Sequence, residues 1–240
     1  MEFTIPQVLQ HEHAALHERL CHATQAGGEV GEAAKIGAIM QTPAFFDSAP
    51  AIVVADPLSE MLGATEGGLI EYRYVDAVKL AGHSCPTVAG AWLMTRAALV
   101  RLFPGETPRR GEIGVEMRQD VDEGVAGVIA SVAGLVTGAA GDGGFKGLAG
   151  RFRRQGLLRF GVPMRGEIRF TRLDDGRSVE LSHRPQAVPR PAGLSELMRD
   201  ALAPQASDAA RRAFADAWQG WVQVILTEHA DDPALIEMAA

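Results

Sequence analysis

The chain has 240 residues, enough for one large domain or for a core domain with appended segments. Hydrophobic residues make up 47% of it and charged residues 22%, so an ordinary buried core is expected. The net charge of −7 argues against a nucleic-acid partner, and the one basic cluster, residues 151–154, is interpreted as a solvated edge or a local anion clamp.

The two cysteines, Cys21 and Cys85, are too few for a disulfide framework. The polar N-terminus lacks the pattern of a signal peptide, and the longest run of small residues, 124–144, is too weakly apolar for a membrane span. We therefore expect a cytoplasmic location, where both thiols are free, and no contact with a membrane.

The N-terminal part of the chain is predicted to be a helical hairpin. A helix over residues 5–26 ends at Gly27-Gly28, and a shorter second helix ends at Thr42-Pro43. Because two helices cannot bury both of their apolar faces alone, we expect this hairpin, residues 1–44, to pack on the rest of the chain or on a partner.

The middle of the chain, residues 45–188, alternates between periodic segments and Gly or Pro breaks. Asp56 followed by Pro57 predicts a helix start, and Asp174-Asp175-Gly176 predicts a hairpin turn. The order is helix, strand, helix and three strands, which indicates an α+β fold with a mixed or antiparallel sheet covered by helices on one face. The predicted strands are 51–55, 69–74, 111–119, 157–162, 167–173 and 178–182, and the predicted helices are 58–62, 76–80, 87–102 and 122–136.

The C-terminal part, residues 189–240, is predicted to be a helical extension that follows a proline-rich linker. It holds a helix at 194–202 and a longer one at 207–228. The longer helix has an aromatic and apolar face, formed by Phe214, Trp218, Trp221 and Ile225.

The turn before the helix at 87–102 carries two candidate metal ligands, His83 and Cys85, between Gly82 and Pro86. A thiolate and a neutral imidazole both bind zinc well, so the turn predicts zinc or another divalent transition metal. A helix N-terminus also favours the thiolate, which leaves a reactive thiol without metal as an alternative. A third interpretation is structural, with Cys85 packed as a small apolar residue and His83 bonded to a nearby carbonyl.

A second group of candidate metal ligands lies in the N-terminal helix. His13, His17 and Cys21 follow one another at intervals of four residues and therefore share one helical face. Two histidines at this spacing can clamp a metal ion, so His13 and His17 are candidate ligands. The alternative is that they decorate a surface helix.

The glycine-rich loop 137–147 is a candidate cofactor site, because glycines allow a ligand to approach the backbone closely. Lys146 would hold an anion there and Asp142 a cation; a purely structural loop is the alternative. The loop is not a P-loop, because glycine follows Lys146. No nucleophile elbow is present, and His183 and His229 are isolated and interpreted as structural or surface residues.

The sequence Gly82-His83-Ser84-Cys85-Pro86 at the start of a long helix resembles the formylmethanofuran dehydrogenase E-subunit-like family, which carries a G-H-x-C-P turn there. The resemblance covers about residues 45–185 and includes the strand near residues 111–117, the glycine-rich helix and the loop around Lys146. It implies a core related to the second domain of glyceraldehyde-3-phosphate dehydrogenase, a zinc ion held partly by His83 and Cys85, and a homodimer. Two family features are absent: Ala139-Ala140 stands where many members have a cysteine, and the C-terminal cysteine-rich module is replaced by helices.

Residues 5–40 resemble the first stretch of a hemerythrin-like (HHE) cation-binding domain. The matching sequences are Glu12-His13-Ala14-Ala15-Leu16-His17 and Gly27-Gly28-Glu29-Val30-Gly31-Glu32-Ala33-Ala34. The resemblance implies that His13 is a metal donor. The second-helix ligands are missing, so a complete di-iron bundle is excluded and only a remnant is expected.

The sequence therefore supports two hypotheses of different class. The first is a cytoplasmic zinc-binding protein whose remaining ligands come from the N-terminal helix, a dimer partner or water, with room for a small-molecule ligand. The second is a non-catalytic dimeric accessory module that binds a small cofactor or a partner protein, with the tryptophan helix and the glycine-rich helix as its interfaces. Neither hypothesis identifies a reaction.

Overall fold

The computed structural model describes residues 41–239, and the predicted N-terminal helical hairpin and hemerythrin-like remnant lie outside that range. Residues from Pro43 onwards form one compact unit. A short 3-10 helix, Ala44–Ser48, precedes the first strand. The α-helices are α1 (Pro57–Met61), α2 (Tyr74–Ala81), α3 (Pro86–Leu102), α4 (Ala126–Thr137), α5 (Leu194–Ala201) and α6 (Asp208–Thr227), and the strands are β1 (Ile52–Ala55), β2 (Leu69–Tyr72), β3 (Ile113–Met117), β4 (Leu158–Arg159), β5 (Ile168–Arg172), β6 (Ser178–His183) and β7 (Ile236–Met238).

The strands form two sheets. β1 and β2 make a small antiparallel ribbon, and the main sheet has the order β4-β3-β5-β6-β7. β3 and β4 are parallel, and the other neighbours are antiparallel, so the main sheet is mixed. The α+β class and the order helix, strand, helix, three strands (α3-β3-α4-β4-β5-β6) are confirmed.

Several predicted boundaries differ from the structure. The strand predicted at 157–162 keeps only Leu158–Arg159, because Gly156 and Gly161 take φ values of 73° and 66° and bend the chain out of the extended conformation. The helical turn predicted at 76–80 is a longer helix, since it begins at the buried Tyr74. Strand β7 was not predicted; at three residues it is too short to show an alternating pattern.

Helix α3 is the central element of the fold. Most of its residues are buried, and its apolar side chains point in nearly every direction, which is typical of a helix enclosed by other elements. It contacts helices α2, α4 and α6, and it packs on the main sheet along β6. Pro86 at its first position and the N-cap Cys85 fix where it begins.

The two faces of the main sheet have different chemistry. Ile113, Val115 and Met117, which the alternation placed on one side, are fully buried. On the opposite face, register brings Glu116 against Arg169 and Arg169 against Glu180, with hydrogen bonds of 2.8 and 2.6 Å. The apolar face therefore packs on helices, while the other face carries a ladder of alternating charge.

The C-terminal segment contributes to the same core. On α6, Trp221 and Ile225 of the predicted apolar face are buried, and the Trp221 Nε1 donates to the Val188 carbonyl at 3.4 Å. β7 then pairs with β6, which places Ile236 beside His183. Residues 189–240 are thus joined to the sheet by a strand as well as by helices.

A buried ion cluster links three distant segments. Asp56, only 3% exposed, is the N-cap of α1, and its Oδ1 accepts the backbone N–H groups of Leu58 and Ser59, as predicted. The same carboxylate accepts hydrogen bonds from Arg154 Nη2 at 2.7 Å and from Arg110 Nη1 at 2.9 Å. The interpretation of residues 151–154 as a solvated edge is therefore wrong for Arg154, which is buried because it meets this carboxylate.

The Asp56 carboxylate is charged despite its burial. Desolvation alone would raise its pKa, but the hydrogen bond from Arg110, the charge of Arg154 and the two backbone N–H groups together lower the pKa below its usual value. Arg110 also donates to the Leu135 carbonyl at 3.2 Å, in the last turn of α4. The second positive charge is thereby shared with the negative end of that helix.

Replacing Asp56 should be strongly destabilising. The Asp56→Asn variant leaves two guanidinium groups without their counter-charge, so we expect its free energy of unfolding to fall by about 3 kcal/mol or more. Urea denaturation followed by circular dichroism measures the change. Glu237→Gln is the matched control: it breaks an exposed pair with Arg184 and should cost less than ~1 kcal/mol. Equal effects in the two variants would contradict the role given to Asp56.

Alanine substitutions at two helical glycines, Gly90 and Gly220, should have opposite effects on stability. A Cβ added at Gly90 in α3 would lie 2.4 Å from His183 Nδ1, whereas a Cβ at Gly220 in α6 would meet nothing within 4 Å. We expect Gly90→Ala to destabilise by about 1–3 kcal/mol through overpacking. Gly220→Ala should stabilise by about 0.5–1 kcal/mol through helix propensity. Thermal melts of both variants test this, and a stabilised Gly90→Ala would show that the two elements do not pack this closely.

Candidate metal-binding turn

The turn that carries His83 and Cys85 is the whole connection between α2 and α3. Gly82 ends α2 in the left-handed conformation, with φ 75°, and donates its N–H to the Val78 carbonyl at 2.8 Å. Pro86 occupies the first position of α3. The turn predicted from Gly82 and Pro86 is therefore confirmed, and it connects the two helices through only a few residues.

Ser84, between the two candidate ligands, anchors the turn to the protein interior. Its hydroxyl is 3.0 Å from the Tyr74 hydroxyl, in a buried contact. Its carbonyl accepts Trp218 Nε1 at 3.0 Å and Gln219 Nε2 at 3.2 Å, both from α6. Burial raises the pKa of Tyr74 well above its usual value, so the phenol stays a hydrogen-bonding neutral group. Two helices thus hold the turn in one geometry.

His83 is exposed, and one of its ring nitrogens is engaged. Its Nδ1 lies 2.9 Å from the Ala81 carbonyl, which only accepts, so Nδ1 donates this bond and Nε2 is the ring nitrogen left for another partner. The ring borders a small notch of about 190 Å³, formed with Leu80 and with α4 residues that include Gly127 and Val128. A metal-bound histidine commonly donates its other N–H to a carbonyl, although the structural interpretation of His83 requires the same bond.

Cys85 is a free, partly buried cysteine at the N-cap of α3. Its Sγ accepts the N–H of Val88 at 3.5 Å, and the side chain packs against the edge of the hydrophobic core. The sulfur therefore accepts one hydrogen bond at the start of α3 and has no disulfide partner within residues 41–239. This environment suits a metal ligand, a reactive thiol or a capping residue.

The structure brings no further donors to the turn from the part of the chain that it describes. Between residues 41 and 239, no three His, Cys, Asp or Glu side chains group so that they could hold a metal ion. His13 and His17 lie outside this range, so their predicted role stays a prediction. Any complete metal site at His83 and Cys85 must draw its other ligands from outside these residues.

The glycine-rich loop favours the structural interpretation. A Cβ at Gly147 would lie 2.3 Å from the Arg151 carbonyl oxygen, and one at Gly144 would lie 2.8 Å from Gln155 Cα. These glycines thus serve close packing of the loop on itself. Asp142 and Lys146 are both exposed, and neither side chain forms a hydrogen bond or ion pair with another residue in the range 41–239.

The helix faces proposed as partner interfaces are largely used within the chain. Trp218 binds the Ser84 carbonyl and Trp221 is 8% exposed, so the tryptophan face of α6 lies against its own core. On α4, a Cβ at Gly134 would lie 2.8 Å from the Ala139 carbonyl oxygen, so that glycine serves an internal contact.

His183 is a partly buried histidine in β6. Its ring lies against Gly90, and its Nε2 is buried with no hydrogen-bond partner among the described residues. Burial lowers the pKa of His183 to about 4. The interpretation of His183 as a structural or surface residue is consistent with this position. The Asp56–Arg154 pair and the Trp218–Ser84 bond were not predicted, because no pattern of neighbouring residues indicates them.

Comparison with models of known protein families and with curated protein sequences finds no match. The resemblances to the formylmethanofuran dehydrogenase E-subunit-like family and to the hemerythrin-like domain therefore stay predictions.

Over residues 41–239, every helix is too short or too polar to cross a lipid bilayer.

The burial of His183 predicts a pH-dependent loss of stability. Its pKa is about 4 in the folded state against an ordinary value of 6.5, so between these pH values the unfolded chain binds more protons. Above pH 6.5 the titration of His183 does not reduce the free energy of unfolding. As the pH drops from 6.5 towards 4, this free energy falls by about 3 kcal/mol in total.

A His183→Leu variant isolates this effect, because leucine fills similar space and cannot titrate. We expect the difference in unfolding free energy between the variant and wild type to shift in favour of the variant as the pH falls from about 7 to about 4.5. Urea titrations of both proteins at the two pH values measure it. Parallel pH dependence would show that the imidazole is hydrated in the folded state.

Proposed function

We propose that the protein binds a divalent transition-metal ion, most readily zinc, through His83 Nε2 and Cys85 Sγ. The observation that carries the proposal is the short, anchored turn, in which an exposed imidazole with its Nδ1 occupied stands two residues from a free thiol. Nitrogen and sulfur donors of this kind select zinc over magnesium or calcium. The G-H-x-C-P sequence and the confirmed element order support the proposed relationship to the formylmethanofuran dehydrogenase E-subunit-like family.

A second copy of the chain is the proposed source of the missing ligands. Two turns facing each other would supply two imidazoles and two thiolates, which is a complete tetrahedral set for zinc. The surface beside the turn supports this arrangement, because Leu80 is 49% exposed and Val125 is 42% exposed. Val121, 63% exposed, belongs to the same area, since its carbonyl lies against the notch residue Gly127.

A four-ligand site of this kind is closed and therefore structural in character. The proposed role is that of a metal-bridged homodimeric binding or accessory protein of the cytoplasm, in which reduced thiols remain available for the metal. An open position, filled by water, would instead allow Lewis-acid chemistry. His13 and His17 are the alternative donors within the chain.

Zinc content of the purified protein tests the proposal. We expect about one zinc per two chains in wild type, measured by mass spectrometry of the metal, and at least a roughly tenfold weaker zinc affinity in His83→Ala and Cys85→Ser. Serine keeps an N-cap oxygen, so the loss in Cys85→Ser reports the sulfur and not the cap. His229→Ala, at a histidine bonded to Asp232, is the matched control.

The stoichiometry and the N-terminal variants separate the sources of the ligands. A ratio of one zinc per chain that is lost in His13→Ala or His17→Ala would replace the shared site by a site within one chain. Unchanged zinc content in both His83→Ala and Cys85→Ser would overturn the proposed metal-binding function. Light scattering with and without chelator measures whether the dimer depends on the metal.

A further inference from the structure

An open groove of about 950 Å³ lies at the opposite end of α3 from the metal-binding turn, and we call it the arginine groove. Its rim carries Arg101 from α3, Arg165 before β5 and Arg177 before β6, and its floor includes Val179 and Met238. The remaining lining residues are Leu102, Met164, Ser178, Glu180 and Ala239.

Three arginines and one carboxylate line the groove. Among the described residues that line it, Glu180 is the only acidic one. Its Oε1 accepts two hydrogen bonds from Arg169, at 2.6 and 3.0 Å, and its Oε2 accepts the backbone N–H groups of Arg165 and Gly166. Glu180 is therefore occupied by partners of its own.

Two of the rim arginines, Arg101 and Arg177, differ in how far other residues engage them. The Arg101 side chain forms no hydrogen bond or ion pair with any residue in the range 41–239. Arg177 is paired with the exposed Asp175, whose Oδ2 lies 2.8 Å from Nε and 2.7 Å from Nη2, and its Nη1 forms no such bond within this range. The negative end of α3 is close by, but Arg172 donates to the Leu102 carbonyl at 3.3 Å and offsets it.

The floor of the groove is apolar, so a matching ligand needs an apolar part as well as a negative charge. Val179 and Met238 line the groove together with the arginines, and methionine side chains adapt readily to ligand shape. The volume lies within the range of small-molecule sites. A purely inorganic anion would leave this surface unused, whereas a neutral apolar molecule would leave the guanidinium groups unpaired.

We propose that the arginine groove binds a small organic anion, with a carboxylate or similar acidic head held by Arg101 and Arg177 and an apolar body lying on Val179 and Met238. Guanidinium groups recognise such heads through paired charge-assisted hydrogen bonds. The site is separate from the metal-binding turn, since the 17 residues of α3 span roughly 25 Å. It does not depend on the proposed zinc.

Fluorescence titration with anilinonaphthalene sulfonate tests the proposal, because this probe combines an acidic head with an aromatic body. With the full chain we expect saturable binding of one probe per chain, displaced by decanoate but not by equal concentrations of decanol or inorganic phosphate. Arg101→Gln combined with Arg177→Gln should weaken probe binding by about tenfold or more. Arg212→Gln, which removes an exposed charge on α6 away from the groove, should leave it unchanged.

A variant of the floor gives a second, independent readout. Met238 is 44% exposed, so Met238→Glu should fold normally and should weaken probe binding, because it places a negative charge against the apolar body of an anionic probe. Equal probe affinity in wild type, the double arginine variant and Met238→Glu would overturn the proposal. Displacement by decanol as effective as that by decanoate would also overturn it, because it would show binding to apolar surface alone. The His83→Ala variant should bind the probe normally, whatever its zinc content.

Discussion

The arrangement of the described unit depends most on the ion cluster around the Asp56 carboxylate. The carboxylate caps α1, binds Arg110 from the segment before β3 and binds Arg154 from the end of the glycine-rich loop. Because a buried charge is tolerated only with partners, these three segments must arrive together. The cluster thereby fixes three elements relative to the main sheet: the small β1-β2 ribbon, the last turn of α4 and the glycine-rich loop. The elements that pack around α3 are held in place in the same way.

Helix α3 then determines where both proposed sites lie. Its N-terminal end is fixed by the turn of His83 and Cys85, and Arg101 in its last turn reaches the arginine groove. A buried helix with small residues at close contacts, such as Gly90 against His183, has little freedom to shift. The two sites are therefore held at a fixed separation by one rigid element, while their chemistry, soft metal ligands at one end and guanidinium groups at the other, is independent.

Local sequence signals predicted the features that depend on neighbouring residues. The alternation of Ile113, Val115 and Met117 gave the buried face of β3 correctly, and Gly82 with Pro86 gave the turn. Features that join distant positions had no such signal: Arg154 meets Asp56 across 98 residues. Hydrophobic periodicity carries no information about which charged residue becomes the partner of another, and a three-residue strand such as β7 is too short to display a period.

The bonds to the Ser84 carbonyl also bear on when the turn takes shape. Trp218 and Gln219 are 134 and 135 positions away along the chain, so these contacts close a very long loop. Closing such a loop costs conformational entropy, so these bonds form only when α6 is docked. The pair of His83 and Cys85 is thus preorganised only in the completed fold. If the proposed metal ion binds at this turn, its uptake would depend on the docking of the C-terminal helix and would therefore report it.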